Sequence, residues 1–106
     1  MAKYLLEATY LPEGAKGILK DGGSKRRQVV EAAVKASGGK LDAFYFAFGK
    51  KDAYLIVDMP DHISVAATAL VVNASGAASV KTTVLLTPEE IDQASKKNIS
   101  YTPPGR

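Results

Sequence analysis

In four segments of the chain, alternate residues form two distinct sets of apolar or polar side chains, with a period of two. The alternation runs over residues 3–10, 41–48, 53–59 and 78–86. A period of two is typical of strands that bury one face, so the pattern predicts four strands. Only the compact polar turn Gly49-Lys50-Lys51-Asp52 separates the second and third segments, which predicts that these two strands form a hairpin.

Two further segments have the spacing of helices. Ser24 is placed to cap a helix that runs to about Ser37 and ends at Gly38-Gly39, and Asp61 is placed to cap a second helix over residues 62–74. Each helix has a stripe of apolar residues that is expected to be buried. The two stripes are Val29, Val30, Ala33 and Val34, and then Ile63, Ala66, Ala67, Leu70, Val71 and Ala74.

The remaining segments contain turn and cap residues. Residues 11–23 contain Pro12 and four glycines, Gly14, Gly17, Gly22 and Gly23, and are expected to form a loop. Thr87-Pro88 predicts the start of a short helix that ends near Lys96-Lys97. We expect one domain over residues 1–92, followed by a mobile C-terminal tail over residues 93–106.

The order strand, helix, strand, strand, helix, strand predicts an α+β fold. It is the ferredoxin-like βαββαβ pattern, with a four-stranded antiparallel sheet and both helices on one face. The second and third predicted strands are apolar on both sides, so the other face of the sheet also needs a cover. A second copy of the chain is the simplest cover, which predicts a homodimer in the form of a dimeric α+β barrel. The alternative is that residues 11–23 or the C-terminal segment cover this face.

Composition supports a folded domain. The 106 residues are 46% hydrophobic and 24% charged, and none is cysteine, so disulfides and a thiol nucleophile are excluded. The longest mainly apolar stretch, residues 62–78, is interrupted by polar residues and is not expected to span a membrane. Glu7 lies where a signal peptide would be apolar, so we expect a cytoplasmic protein.

The net charge of +3 is small and its basic clusters are scattered along the chain. The clusters are Lys25-Arg26-Arg27, Lys50-Lys51 and Lys96-Lys97. Few of them can contact phosphates at the same time, so neither a nucleic acid nor a membrane is expected as a partner. The expected partners are a second copy of the chain and a small-molecule ligand.

Residues for metal or cofactor chemistry are few. His62 is the only histidine, so one chain cannot build a histidine pair, and we expect His62 to be an exposed residue in the first turn of its helix. The glycine pairs Gly22-Gly23 and Gly38-Gly39 lack the context of a phosphate-binding loop. No cofactor and no metal are predicted.

Five residues are candidates for ligand binding: Tyr45, Tyr54, Asp58, Thr82 and Arg27. Ala43 and Ala47 flank Tyr45 on its face of the strand and leave room beside the phenol, so the site is expected on the helix-free face of the sheet. Asp58 or Thr82 would close one end. In the alternative interpretation, both tyrosines pack in the core or an interface, and Asp58 bonds to the second helix or to Arg27.

A set of short motifs is spread over about residues 3–92. The motifs are Gly38-Gly39-Lys40-Leu41, residues 44–52, Asp58-Met59-Pro60-Asp61, Gly76, Lys81-Thr82 and Glu89-Glu90. The set resembles the GYD domain family of small bacterial proteins, most specifically in the hairpin and in the Pro-Asp step into the second helix. Lys51 stands where the family has a tyrosine before the aspartate, and Asp58 stands where the family commonly has Glu. The resemblance implies a dimeric α+β barrel and almost nothing about activity.

Three functional hypotheses follow. The first is a homodimeric, non-enzymatic module that binds a small, partly apolar ligand, either neutral or anionic, because no acid/base pair stands out in the sequence. The second is a cofactor-independent enzyme, similar to monooxygenases or isomerases of this fold, that acts on small aromatic or carbonyl compounds. The third is a structural or interaction subunit.

Overall fold

The protein consists of one sheet and four helices. A computed structural model describes residues 1–106. The strands are β1 (Ala2–Tyr10), β2 (Lys40–Phe46), β3 (Ala53–Met59) and β4 (Ala78–Leu85), and the helices are α1 (Pro12–Asp21), α2 (Gly23–Ala36), α3 (His62–Ala74) and α4 (Pro88–Ser95). The four predicted strands and the α+β class are confirmed.

The sheet is antiparallel throughout, in the order β2-β3-β1-β4. β1 therefore lies in the interior, between β3 and β4, and β2 and β3 form the predicted hairpin. The strand register aligns residues in rows across the sheet. One row crosses all four strands, and its members are Ala43, Ile56, Leu5 and Thr83.

The hydrophobic core lies between one face of the sheet and the helices α2 and α3. Its nine members are Tyr4, Leu6 and Ala8 of β1, Ala53, Leu55, Val57 and Met59 of β3, Val34 of α2 and Val65 of α3. Each strand contributes alternate residues, so β1 and β3 direct their other side chains to the opposite face. We call that opposite face the open face.

The segment expected to be a loop contains the helix α1, so that prediction is wrong. Pro12 occupies the first turn, where a missing N–H has no cost. Gly14 allows α1 to approach the chain before β4, because a Cβ at this position would overlap the carbonyl group of Ala77. Gly22, with φ of +84°, ends the helix and donates its N–H to the carbonyl of Ile18 at 2.8 Å.

α3 faces the sheet with a different stripe from the predicted one. Val65 is buried, whereas Ile63, Leu70 and Val71 are each about 70% exposed. After His62, almost every position of α3 is apolar or small and none is acidic or basic, so the sequence pattern does not indicate which side of the helix faces the sheet. The result is an apolar outer surface on α3.

A β-bulge shifts the register of β2 between Leu41 and Ala43. Leu41 pairs with Val57, and Phe44 pairs with Leu55, so both side chains lie on the core face although their sequence separation is odd. β2 also ends at Phe46, two residues before the predicted end, and Phe48 is fully exposed. Asp42 is the residue of the bulge that has no partner on β3, and it lies on the edge strand of the sheet.

α4 begins at the predicted cap. The backbone N–H of Glu90 donates to Thr87 Oγ1 at 3.1 Å, and the N–H of Thr87 donates to Glu90 Oε1 at 2.9 Å, which forms a capping box. α4 has no buried residue. Residues 87–106, here called the C-terminal arm, extend the molecule to 58 Å along its longest axis. The radius of gyration is 17.0 Å, whereas about 13 Å is usual for a compact chain of this length.

Candidate ligand-binding site

Tyr45 and Tyr54 are neighbours on the open face. They are directly opposed across β2 and β3, next to the row that holds Ala43 and Ile56. The Tyr45 side chain is 71% exposed, whereas Tyr54 is half-buried. The structure thus brings the two predicted tyrosines together, on a surface and not in an enclosed pocket.

Asp58 lies on the same face and is bound to Lys3. The Lys3 Nζ atom is 2.9 Å from Asp58 Oδ2 and 2.6 Å from Asp42 Oδ2. The partner of Asp58 is therefore a lysine on β1, and not Arg27 or the second helix as in the alternative interpretation. The hydrogen bond from Lys3 holds the pKa of Asp42 below its ordinary value, and the bonds to Asp42 and Asp58 raise the pKa of Lys3.

Thr82 and Arg27 are separated from the tyrosines. Thr82 pairs with Leu6, a core residue, so its side chain belongs to the helix side of the sheet and not to the open face. Arg27, on α2, is exposed and borders shallow grooves beside Phe44 and Asp42 at the β2 edge. The five predicted residues therefore do not form one site.

The most apolar cavity lies on the helix side of the sheet, between α2 and α3. α2 packs on β2 and α3 packs mainly on β4, the two edge strands, so a gap remains above the middle of the sheet. This helix-face cavity has a volume of about 140 Å³, and 12 of its 14 lining residues are hydrophobic. Leu6 and Leu55 contribute to its floor, and Val30 and Val72 to its walls.

At one end of the helix-face cavity, a polar side chain that lines it contacts the residue after α2. The hydroxyl oxygens of Ser37, which follows α2, and Thr68 of α3 are 2.9 Å apart. The Thr68 hydroxyl also donates to the Ser64 carbonyl at 2.9 Å, so this polar group is satisfied within the protein. A ligand has little to gain from Thr68.

Arg26 and Tyr10 are the polar residues at the other end. Arg26 precedes Ser37 by eleven residues, which is about 16 Å along a helix. Its guanidinium carbon lies 5.9 Å from the centroid of the Tyr10 ring, within the range of a cation–π interaction. Its Nε–H is buried and has no hydrogen-bond acceptor in the protein. The cavity thus joins an apolar interior to a cationic end.

Arg26 and Tyr10 were missed by the sequence analysis. Helical spacing could have indicated Arg26, because it precedes Val29 and Val30 by three and four residues and therefore lies on the same side of the helix as the apolar stripe. Tyr10 ends β1 on the core side, where its ring is 6.3 Å from that of Phe46. No pattern in the sequence indicates that α2 and α3 would stand apart.

The structure also shows where the residues of interest for metal binding lie. No group of three or more histidine, cysteine, aspartate or glutamate side chains is placed to hold a metal ion. His62 is exposed in the first turn of α3, as expected. No helix has the length and the apolar character that a membrane span requires.

The fold and the motifs agree with one family. Residues 4–95 match the GYD domain, which is most of the 106-residue chain, and the chain belongs to the GYD domain family. The match covers β1 from Tyr4 onward and all of the other three strands, and it ends with α4. No curated protein and no solved structure gives a match.

Proposed function

We propose that the protein is a homodimeric module that binds a small, partly apolar ligand in the helix-face cavity. The cavity itself is the observation that carries the proposal. Its volume of about 140 Å³ is close to that of an apolar protein cavity, about 150 Å³, that accepts a benzene-sized molecule. The expected ligand therefore has one apolar group of about the size of a six-membered ring.

Dimer formation is proposed through the open face. The row of Ala43, Ile56 and Leu5 is apolar, and exposed Tyr45 and half-buried Tyr54 lie beside it. A second copy related by a two-fold axis would cover this row with the same row, so apolar residues would meet apolar residues. When α1 and α4 are set aside, the elements follow the βαββαβ order, which favours a ferredoxin-like unit in a dimeric α+β barrel. In this dimer the tyrosines would be interface residues.

The C-terminal arm is a second argument for a partner copy. It carries Ile91, Ile99 and Tyr101 with half or more of each side chain exposed, and α4 buries none of its residues against its own domain. Apolar side chains on a projecting segment gain stability when another surface covers them. We propose that the second copy supplies that surface.

Ligand binding can be tested with toluene, a neutral ring-sized probe, and two variants of α2. Ala33 lines the cavity, whereas its neighbour Ala32 does not. We expect toluene to raise the Tm of the parent protein and of Ala32→Leu, because a ligand that binds only the native state stabilises it. Ala33→Leu should show no shift, since the larger side chain occupies the cavity. Absence of a shift in the parent, or an equal shift in Ala33→Leu, contradicts the proposal.

The other hypotheses make different predictions for the same experiment. An enzyme of small aromatic or carbonyl compounds would consume the bound compound, so turnover of the ligands found by such a screen distinguishes it from a binding module. A structural subunit would bind none of them. The cytoplasmic location and the lack of nucleic-acid and membrane partners stay predictions of the sequence.

A further inference from the structure

The helix-face cavity has a single cationic group, and this group has no anionic partner. Arg26 forms no salt bridge, although Lys3 and Lys16 do. Its Nε–H is buried without an acceptor. A buried donor that lacks a partner destabilises the folded state, and more so when it carries a charge. The residue therefore has an unused capacity to bind an acceptor.

The surroundings hold Arg26 at the end of the cavity. The guanidinium carbon lies over the Tyr10 ring at 5.9 Å from its centroid, and the Tyr10 ring itself is 6.3 Å from the ring of Phe46. Arg26 also lines a second cavity between α1 and α2, next to Gly14 and Gly22, so it separates the apolar space from a polar one. An anionic group next to Arg26 would thus have an apolar space on one side and a polar space on the other.

A carboxylate fits this position best among common anionic groups attached to an apolar ring. A guanidinium group offers a planar fork of N–H donors that matches the two oxygens of a carboxylate. A water molecule could accept a hydrogen bond from Arg26, but it would not neutralise the positive charge of the guanidinium group. A larger anion such as a phosphate ester would need several donors. Lys25 is the only other basic residue that lines the polar cavity, and the carboxylates of Glu13 and Asp21 in the same lining would repel such an anion.

We propose that Arg26 is the anion-binding residue of the helix-face cavity and that the ligand is a small monocarboxylate with one ring-sized apolar group. This inference rests on the proposed function, because it assigns the class of ligand for the same cavity. The apolar group lies between α2 and α3, and the carboxylate accepts hydrogen bonds from the Arg26 guanidinium group. The Tyr10 ring keeps the guanidinium plane in place.

The test compares phenylacetate with phenylacetamide, which has the same ring and a neutral head group. Titration calorimetry with the full chain should show that phenylacetate binds about tenfold or more tightly, as expected for a hydrogen bond to a charged group. The variant Arg26→Gln should lose this preference and bind both compounds equally. Arg26→Lys should retain part of it, since the charge remains but the fork is lost.

Arg27→Gln is the matched control, because Arg27 is the next residue on α2 and does not line the helix-face cavity. It should keep the preference of the parent protein. Toluene binding by Arg26→Gln shows that the cavity of this variant is intact. Failure of toluene to bind the parent overturns the proposed function. If the parent binds toluene but does not prefer phenylacetate to phenylacetamide, the assignment of Arg26 is overturned and the proposed function stands. The same conclusion follows if Arg26→Gln keeps this preference.

Discussion

Lys3 and Asp58 lie directly opposite each other on β1 and β3, and their side chains form a salt bridge of 2.9 Å. The same Lys3 ammonium group also binds Asp42 on β2. One lysine therefore connects three strands at one end of the open face. Both carboxylates are mostly shielded, with 23% and 20% of their side chains exposed. Without the lysine, two neighbouring negative charges would face each other.

The substitution Lys3→Met is expected to raise the pKa of Asp42 towards its ordinary value of 3.8, because it removes the hydrogen bond that lowers it. A lowered pKa stabilises the folded state above the unfolded-state pKa, and this stabilisation disappears as the pH falls through the folded-state pKa. As the pH falls below about 4, the parent protein should therefore lose stability more steeply than the Lys3→Met variant does. Carboxyl titration by NMR measures the pKa, and Lys50→Met, in the hairpin turn, should leave it unchanged.

The cap of α3 gives a second dependence on pH. The Ser64 N–H donates to Asp61 Oδ1 at 2.7 Å, and this backbone hydrogen bond lowers the pKa of Asp61. Asp61 should thus contribute to stability above about pH 4 and lose that contribution as acid protonates it. Asp61→Asn keeps an acceptor and should remove the dependence on pH, whereas Asp61→Ala should be less stable at neutral pH as well. Equal stability of the two variants at pH 7 would show that the cap is unimportant.

Two glycines of α1 should respond in opposite directions to replacement by alanine. At Gly14 the new Cβ would overlap the Ala77 carbonyl, so Gly14→Ala should lower the free energy of unfolding by about 1–3 kcal/mol. At Gly17 no atom lies near the position of a new Cβ. Gly17→Ala should therefore raise the free energy of unfolding by about 0.4–1 kcal/mol, because the unfolded chain loses conformational freedom. Urea denaturation measures both. Similar effects of the two substitutions would mean that α1 does not pack closely on the chain before β4.

The proposed dimer can be separated from other uses of apolar surface by two charge substitutions. Ile56 lies in the apolar row of the open face, whereas Leu70 lies on the outer surface of α3. We expect Ile56→Glu to be a monomer of 11.2 kDa at micromolar concentration, since a buried, unpaired carboxylate strongly destabilises an interface. Leu70→Glu should stay dimeric. Light scattering measures the masses, and circular dichroism shows whether both variants are folded. A dimeric Ile56→Glu together with a monomeric Leu70→Glu would place the interface on α3.

The sequence was sufficient to predict the elements whose signals are local. Strand alternation, the Asp61 and Thr87 caps and the hairpin turn each depend on a few neighbouring residues, and β3 and α3 have their predicted bounds. α1 was missed because glycine weakens a helix on its own, and only contact with Ala77 explains why Gly14 is suitable there. Such a contact between distant residues has no local signal.

The candidate site was harder to predict for a related reason. Tyr45 and Tyr54 were correctly assigned to one face of the hairpin, but a cavity depends on how far apart α2 and α3 lie. That separation is set by the packing of α3 through Val65, and the uniformly apolar sequence of α3 does not select this side. A one-residue bulge in β2 likewise changed the face of Leu41. Helix orientation therefore decides where the helix-face cavity lies, and the bulge decides which face Leu41 occupies.

The C-terminal arm affects how the protein moves through solution. Friction depends on shape, and an 11.2 kDa chain with a 58 Å long axis diffuses more slowly than a compact chain of the same mass. A lone copy should therefore leave a size-exclusion column early, near the volume of a heavier compact protein. Elution volume alone would then report an assembly where only one extended chain is present. Sedimentation equilibrium, which depends on mass and not on friction, is the appropriate measurement for this molecule.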